Sequence, residues 1–162
     1  MTDFPVLLRA LTDAGVEFVI VGGAAATAHG SARLTLDLDV VYRRTPENLG
    51  RVVRSLAPHG PYLRGAPPGL PFQWDADTLA KGLNFTLITT LGAIDLLGEI
   101  TGGGVYEDLL PHTDSLRVSG VDCRCLSLDR LIDVKRAAGR VKDLDAIAEL
   151  EAIREERRAA GA

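Results

Sequence analysis

Two aspartates one residue apart, Asp37 and Asp39, lie in the alternating run Leu36-Asp37-Leu38-Asp39-Val40. On an extended strand their side chains share one face, roughly 6–7 Å apart at Cα, while Leu36, Leu38 and Val40 take the other. Carboxylates at that spacing can hold one Mg²⁺ or bridge a pair, with water and substrate phosphates completing the shell. A third acid, Asp95, stands in the middle of another strand-like run, Ala93 to Leu97, between Ile94 and Leu96. If the two strands are neighbours, three carboxylates converge. Left without a cation they would raise one another's pKa, so structure alone is a poor reason for the cluster.

Gly22 and Gly23 end the apolar run Phe18–Val21 and open a small-residue segment, 24–30, suited to a short helix. Glycine lets backbone approach a phosphate closely, and the first N–H groups of a helix can donate to it; the alternative is a plain strand-ending turn. Arg33, just ahead of the acids, is placed to neutralise them or to reach a phosphate. The chain has only three lysines, Lys81, Lys135 and Lys142. Lys135 falls near the apolar side of its helix, where it either reaches inward or snorkels to solvent. By themselves Lys142 and Asp143 read as a charged first turn.

Together Gly22-Gly23, Asp37-Leu38-Asp39 and Asp95 resemble the signature of the minimal nucleotidyltransferases of the DNA polymerase β-like superfamily. In that signature a strand ends in Gly-Gly or Gly-Ser, then come a short helix, a strand with Asp-x-Asp and a later strand with a third acid. Arg33-Leu34-Thr35 and the run DVKRAAGRVKDLDAIAEL extend the likeness toward the AbiEii/MNT-like branch, known from bacterial toxin–antitoxin systems. The resemblance implies a mixed α/β (α+β) domain with the polymerase β-like palm fold. It also implies transfer of a nucleoside monophosphate from an NTP to an acceptor hydroxyl on tRNA or other RNA, protein or a small molecule. Asp37, Asp39 and Asp95 would be the catalytic residues and the ligands of two Mg²⁺ or Mn²⁺ ions. Gly22, Gly23, Arg33, Lys135, Lys142 and Asp143 would bind the nucleotide, and a cognate toxin or antitoxin would be a partner. Gly23 departs from relatives that carry Ser there, which removes a hydroxyl from the phosphate site.

Two other functions compete. Nucleotide-sugar glycosyltransferases also hold a metal and a diphosphate with Asp-x-Asp, but usually after a larger nucleotide-binding domain than the helix and strand available here. A catalytically silent binding module or antitoxin is the other, against which the retention of all three acids argues.

The elements that must position these residues follow from local pattern. Asp3 can cap a helix with Phe4, Leu7, Leu8 and Leu11 on one stripe, ended by Gly15. Thr45-Pro46-Glu47 opens a second helix to about Ala57, with Leu49, Val52, Val53 and Leu56 inward and Arg51 and Arg54 outward. Residues 58–77 are rich in Pro and Gly and read as an irregular surface loop, with Tyr62 and Trp74 packing it or lining a partner site. Strands are expected over 83–89 and 93–97 as a hairpin, then a flexible connector at 101–104 and a short helix near 106–110. A second hairpin spans 115–126 around Ser119-Gly120. Ser127 caps a helix to Ala138, Gly139 breaks it, and a last helix from about Val141 carries Leu144, Ile147, Ala148 and Leu150 before a charged tail. One domain over 1–162 is expected, with its core at about 1–126 and a helical part at about 127–158.

With 162 residues the chain can bury a core without disulfides. Cys123 and Cys125 would face one side of a strand, as idle buried thiols rather than half of a metal site. A net charge of −4 argues against a broad nucleic-acid surface, although Arg43, Arg44, Arg51 and Arg54 form a modest basic patch. Charges interrupt every apolar run, so no membrane span is expected. The N-terminal run lacks a basic start and a small-residue cleavage site, which predicts a cytoplasmic protein.

Overall fold

Asp3 caps α1 (Phe4–Asp13), accepting from the Val6 N–H at 3.2 Å, and Leu7, Leu8 and Leu11 are buried along it. The structure, a computed structural model, describes residues 1–161. All four residues of β1 (Phe18–Val21) are buried, and α2 (Gly22–Ala28) starts directly on the two glycines. β2 (Asp37–Tyr42) returns antiparallel to β1. It begins one residue later than the alternation suggested. The ladder runs out there, because Asp37 pairs with Ala93 and Gly92 turns away at φ +114°. Leu36 is therefore left 62% exposed, while Leu38 and Val40 are fully buried.

Thr45 caps α3 (Pro46–Leu56), accepting from the Asn48 N–H at 3.3 Å. The Pro/Gly-rich stretch after it is more ordered than a surface loop. After a 3-10 turn (Ala57–His59), β3 (Tyr62–Leu63) adds a two-residue strand to the sheet edge, and α4 (Ala76–Lys81), capped by Asp75, closes the excursion. β4 (Phe85–Thr89) and β5 (Gly92–Leu97) make the expected hairpin. The connector after it is not open chain: β6 (Glu99–Ile100) and β7 (Gly104–Val105) pair as a separate two-stranded sheet before α5 (Tyr106–Leu109).

β8 (Thr113–Val118) and β9 (Val121–Leu126) form the second hairpin, with Ser119 and Gly120 both at positive φ as a two-residue primed turn requires. Ser127 caps α6 (Leu128–Ala138), and Gly139 ends it at φ +64°. A 3-10 turn (Val141–Asp143) leads into α7 (Leu144–Gly161), which stays helical through the charged tail. Ion pairs to α6 hold it there: Arg136 to Glu151 at 2.8 Å and Arg154 to Asp129 at 3.3 Å. Of the four apolar residues expected to line it, Ile147 and Leu150 are buried, whereas Leu144 and Ala148 face solvent.

Seven strands form one mixed sheet in the order β3-β4-β5-β2-β1-β9-β8. β2 and β5 are parallel neighbours at its centre. α1 and α4 pack against α3, while α2 and α7 pack against α6. Cys123 and Cys125 are buried and unbridged on β9, and burial pushes their thiols up to about 11 and about 12, which leaves them unreactive. Among the described residues no helix is long and apolar enough to cross a membrane.

Candidate active site

The register of the central strands sets the site. Asp39 lies directly opposite Asp95 across the β2–β5 ladder, and Thr86 of β4 lies opposite Asp95 on its other side. Asp37, two residues before Asp39, projects from the same face. The next position in that row belongs to the loop after β3. Tyr62 and Leu63 pair with Ile88 and Leu87, and the Arg64 N–H continues the ladder to the Thr86 carbonyl at 3.0 Å. Arg64 therefore lands on the acid face. Its Nη2 donates to Asp95 Oδ1 at 2.5 Å and to the Leu87 carbonyl at 3.0 Å, and its Nη1 to Asp37 Oδ2 at 3.3 Å.

Asp39 receives none of these bonds. Its Oδ1 is buried without a hydrogen-bond partner. Burial above all, then the hydrogen bond and charge of Asp95 and the charge of Asp37, push its carboxyl up to about 7, against the pull of Arg64. A buried carboxylate oxygen without a donor is stable either protonated or beside a cation. The donor set is all oxygen, one member is unsatisfied, and such hard ligands suit Mg²⁺ or Mn²⁺. The residues fit a divalent ion in chemistry. As they stand, with the Arg64 guanidinium between Asp37 and Asp95, no three His, Cys, Asp or Glu among the described residues form a ready metal cluster.

Gly22 is tied to this geometry. It holds φ +64°, and a Cβ there would stand 2.2 Å from Asp39 Oδ2. Only glycine lets the acid sit so close to the start of α2. At Gly23 a Cβ would stand 2.6 Å from Thr35 Oγ1. The space a larger residue would need is thus taken by the Thr35 hydroxyl, which donates to the Asp37 carbonyl at 3.2 Å.

Two cavities meet at Lys135. The first, about 340 Å³, has Gly22, Asp39 and Asp95 on the sheet side and Leu131, Val134, Lys135 and Arg140 opposite. The second, about 210 Å³, is lined by Gly23, Arg33, Thr35, Lys135, Lys142 and Asp143, among others. The structure thus brings every candidate catalytic or nucleotide-binding residue of the sequence to these two cavities, except Asp37, which joins through Arg64. Lys135 reaches inward, 13% exposed, with Nζ 4.0 Å from the buried Asp143 carboxylate. Asp143 also accepts from Arg140 Nε at 2.6 Å. Lys142 and Arg33 are exposed at the rim. Among the described residues, the guanidinium that neutralises the acids is that of Arg64, not Arg33.

Arg64 and Arg140 escaped the sequence reading. The signal for Arg64 was the pair Tyr62-Leu63 ahead of it, too short to stand out among prolines and glycines. The basic patch dissolves: Arg43 and Arg51 pair with Glu17, Arg44 binds Tyr42 Oη and the carbonyls of Leu79 and Ala80, and Arg54 stays exposed. Trp74 packs the loop, donating to the Val53 carbonyl at 2.9 Å, with Phe72 between it and Tyr62.

Solved structures with a similar course of the chain include TM1012 of Thermotoga maritima, described as a candidate nucleotidyltransferase, with a TM-score of 0.58 and 16% identity over 92% of this chain and 94% of that one. They also include ANT(2")-Ia in complex with adenylyl-2"-tobramycin, with a TM-score of 0.54 and 14% identity over 98% and 97%. The fold is the nucleotidyltransferase fold. The likeness spans nearly the whole of each chain, so the C-terminal helices that wall both cavities belong to it. No protein-family model matches the sequence, and no curated protein does.

Proposed function

We propose that this chain transfers a nucleoside monophosphate from an NTP to an acceptor hydroxyl, releasing pyrophosphate. The observation that carries the reading is the pairing of Asp39 with Asp95 across β2 and β5, with Asp37 on the same face and Asp39 Oδ1 buried without a partner. Asp37, Asp39 and Asp95 would hold one or two Mg²⁺ or Mn²⁺ ions, which when bound would offset charge on the attacking and leaving oxygens. The remaining steps belong to the chain. Lys135, Lys142 and Arg33 supply positive charge for the phosphates beside Gly22 and Gly23, and Asp143 orients Lys135. Leu131 and Val134 give the first cavity an apolar wall opposite the acids. The acceptor oxygen bonds to the α-phosphorus, the bond to the β-phosphate oxygen breaks with its electron pair on pyrophosphate, and Asp95 takes the acceptor proton.

The neighbour carrying an adenylylated tobramycin makes a small-molecule hydroxyl one acceptor class worth testing beside tRNA and protein. Membership of the AbiEii/MNT-like branch, a cognate toxin or antitoxin partner and a cytoplasmic site of action complete the proposal. The test is incubation with each α-labelled NTP, Mg²⁺ or Mn²⁺, and total tRNA, the protein itself, a neighbouring gene product or tobramycin. Label should move to one acceptor and stop moving in Asp37→Ala/Asp39→Ala. Transfer that survives that double substitution overturns the acid site. No transfer to any acceptor, together with tight partner binding, would support the silent module instead.

A further inference from the structure

We propose that Arg64 is an internal counter-cation that competes with divalent metal for Asp37 and Asp95. The inference rests on the acid-site reading above and adds a residue to it. The Arg64 guanidinium bridges the two carboxylates that flank Asp39, at 3.3 and 2.5 Å, and spends a further bond on the Leu87 carbonyl. Its Nε is buried with no partner. The side chain is therefore not fully satisfied where it sits; its place is set by the acids rather than by a complete hydrogen-bond shell. Asp39 Oδ1, the oxygen Arg64 does not reach, is the one left orphaned. Three acids share a single positive charge, so the metal-free site is held together but under-neutralised.

A divalent ion taking Asp37 Oδ2 and Asp95 Oδ1 must displace the guanidinium from them, and one taking the other oxygens of the two carboxylates would sit beside a positive charge that repels it. Arg64 then lowers the affinity of the free protein for metal. It keeps the acid strands from repelling one another until metal arrives. The arm that carries it is suited to giving way: β3 is two residues long, and Gly65 follows at φ +82°. A bare metal has to overcome this competition alone, whereas a metal delivered on a triphosphate brings further contacts with it.

The test uses Mn²⁺ alone, without nucleotide, titrated into the full chain and followed by the loss of the free-ion electron paramagnetic resonance signal and by thermal melting. Arg64→Gln, which removes the charge and keeps a polar side chain, should bind Mn²⁺ at least about tenfold more tightly than the parent chain. It should also melt lower without metal and gain more from metal. Arg64→Lys keeps the charge and should stay within about threefold of the parent; if the glutamine variant does not fold, Arg64→Met removes the same charge and should show the same roughly tenfold gain, and parental affinity there overturns the competition. Equal Mn²⁺ affinity in the parent and Arg64→Gln, with binding lost in Asp39→Asn, overturns the role of Arg64 and leaves the acid site standing. No Mn²⁺ binding by the parent or by any Arg64 variant overturns the acid site and the competition together.

Discussion

At the residue scale, Asp39 holds a carboxyl pushed up by burial and by its acid neighbours, and its substitution separates stability from function. Its folded pKa is raised from 3.8 to about 7, so the folded chain holds a proton that the unfolded chain has released across that interval. Metal-free stability from this group is therefore full below about pH 4 and falls as pH rises toward 7. Asp39→Asn should flatten that part of the profile and raise the metal-free melting temperature near pH 7.5. The same change should abolish the thermal gain from Mn²⁺ and lower any transfer activity by about 10³-fold, the scale of losing a charge-stabilising group. Melting curves at pH 5 and 7.5, with and without Mn²⁺, check this; an unchanged Mn²⁺ gain would remove Asp39 from the site. Gly22 makes a paired case. Gly22→Ala and Gly60→Ala both place alanine at positive φ, but only at residue 22 does the Cβ meet a neighbour, Asp39 Oδ2 at 2.2 Å. Both should lose about 1 kcal/mol or more from backbone strain, and only Gly22→Ala should also lose Mn²⁺ binding.

At the scale of elements, the strands that bear the acids were legible because Leu38, Val40, Ile94 and Leu96 alternate with Asp37, Asp39 and Asp95 in the sequence itself. Their adjacency was not, because which strand lies next to which depends on β4 and α3 packing between them in the chain. Arg64 was hidden for a related reason: a two-residue strand leaves no periodicity to detect, and its place in the acid row comes from the β3–β4 register. The helical tail shows the same limit. The charged tail beyond Leu150 gave no sign of a docked helix, yet its charges add to the buried Ile147 and Leu150 in holding α7, and Arg157 ends that docking on His29. Arg157 Nη1 donates to His29 Nδ1 at 3.1 Å and Nη2 to the His29 carbonyl at 2.9 Å, while His29 Nε2–H donates to the Leu126 carbonyl at 2.7 Å. A proton on Nδ1 would face a guanidinium. Burial foremost, and the Arg157 charge, lower the His29 pKa against the Leu126 bond and the Asp114 charge. The unfolded chain then takes up a proton that the folded one refuses. Stability is full above about pH 6.5 and declines as pH falls below it. His29→Gln should lessen that decline; denaturation midpoints at pH 7.5 and 5.5 that fall equally in both chains would refute the role.

At the scale of the whole molecule, the sheet and the two C-terminal helices divide the work. The sheet face gathers the acids and has already filled two of them with Arg64. α6 and the turn into α7 bring Lys135, Arg140 and Asp143 against it and create a boundary between two cavities rather than one open groove. Lys135 is common to both, so it is the residue through which an anionic substrate spanning the cleft would be held. The proposed function then requires the metal and the nucleotide to be lost by different substitutions. Lys135→Met should raise KM for NTP by about tenfold or more and leave Mn²⁺ affinity unchanged, because the lysine meets Asp143 and not the three acids. Asp143→Asn removes the carboxylate that fixes Lys135 and Arg140 and should cost about 1–3 kcal/mol of stability, with a smaller rise in KM. If Lys135→Met instead weakens Mn²⁺ binding as strongly as Asp39→Asn does, the cleft is a single cation site and its division into acid and phosphate halves is wrong. If neither substitution moves KM while transfer persists, the nucleotide lies elsewhere on the sheet and the C-terminal helices serve only to cover it.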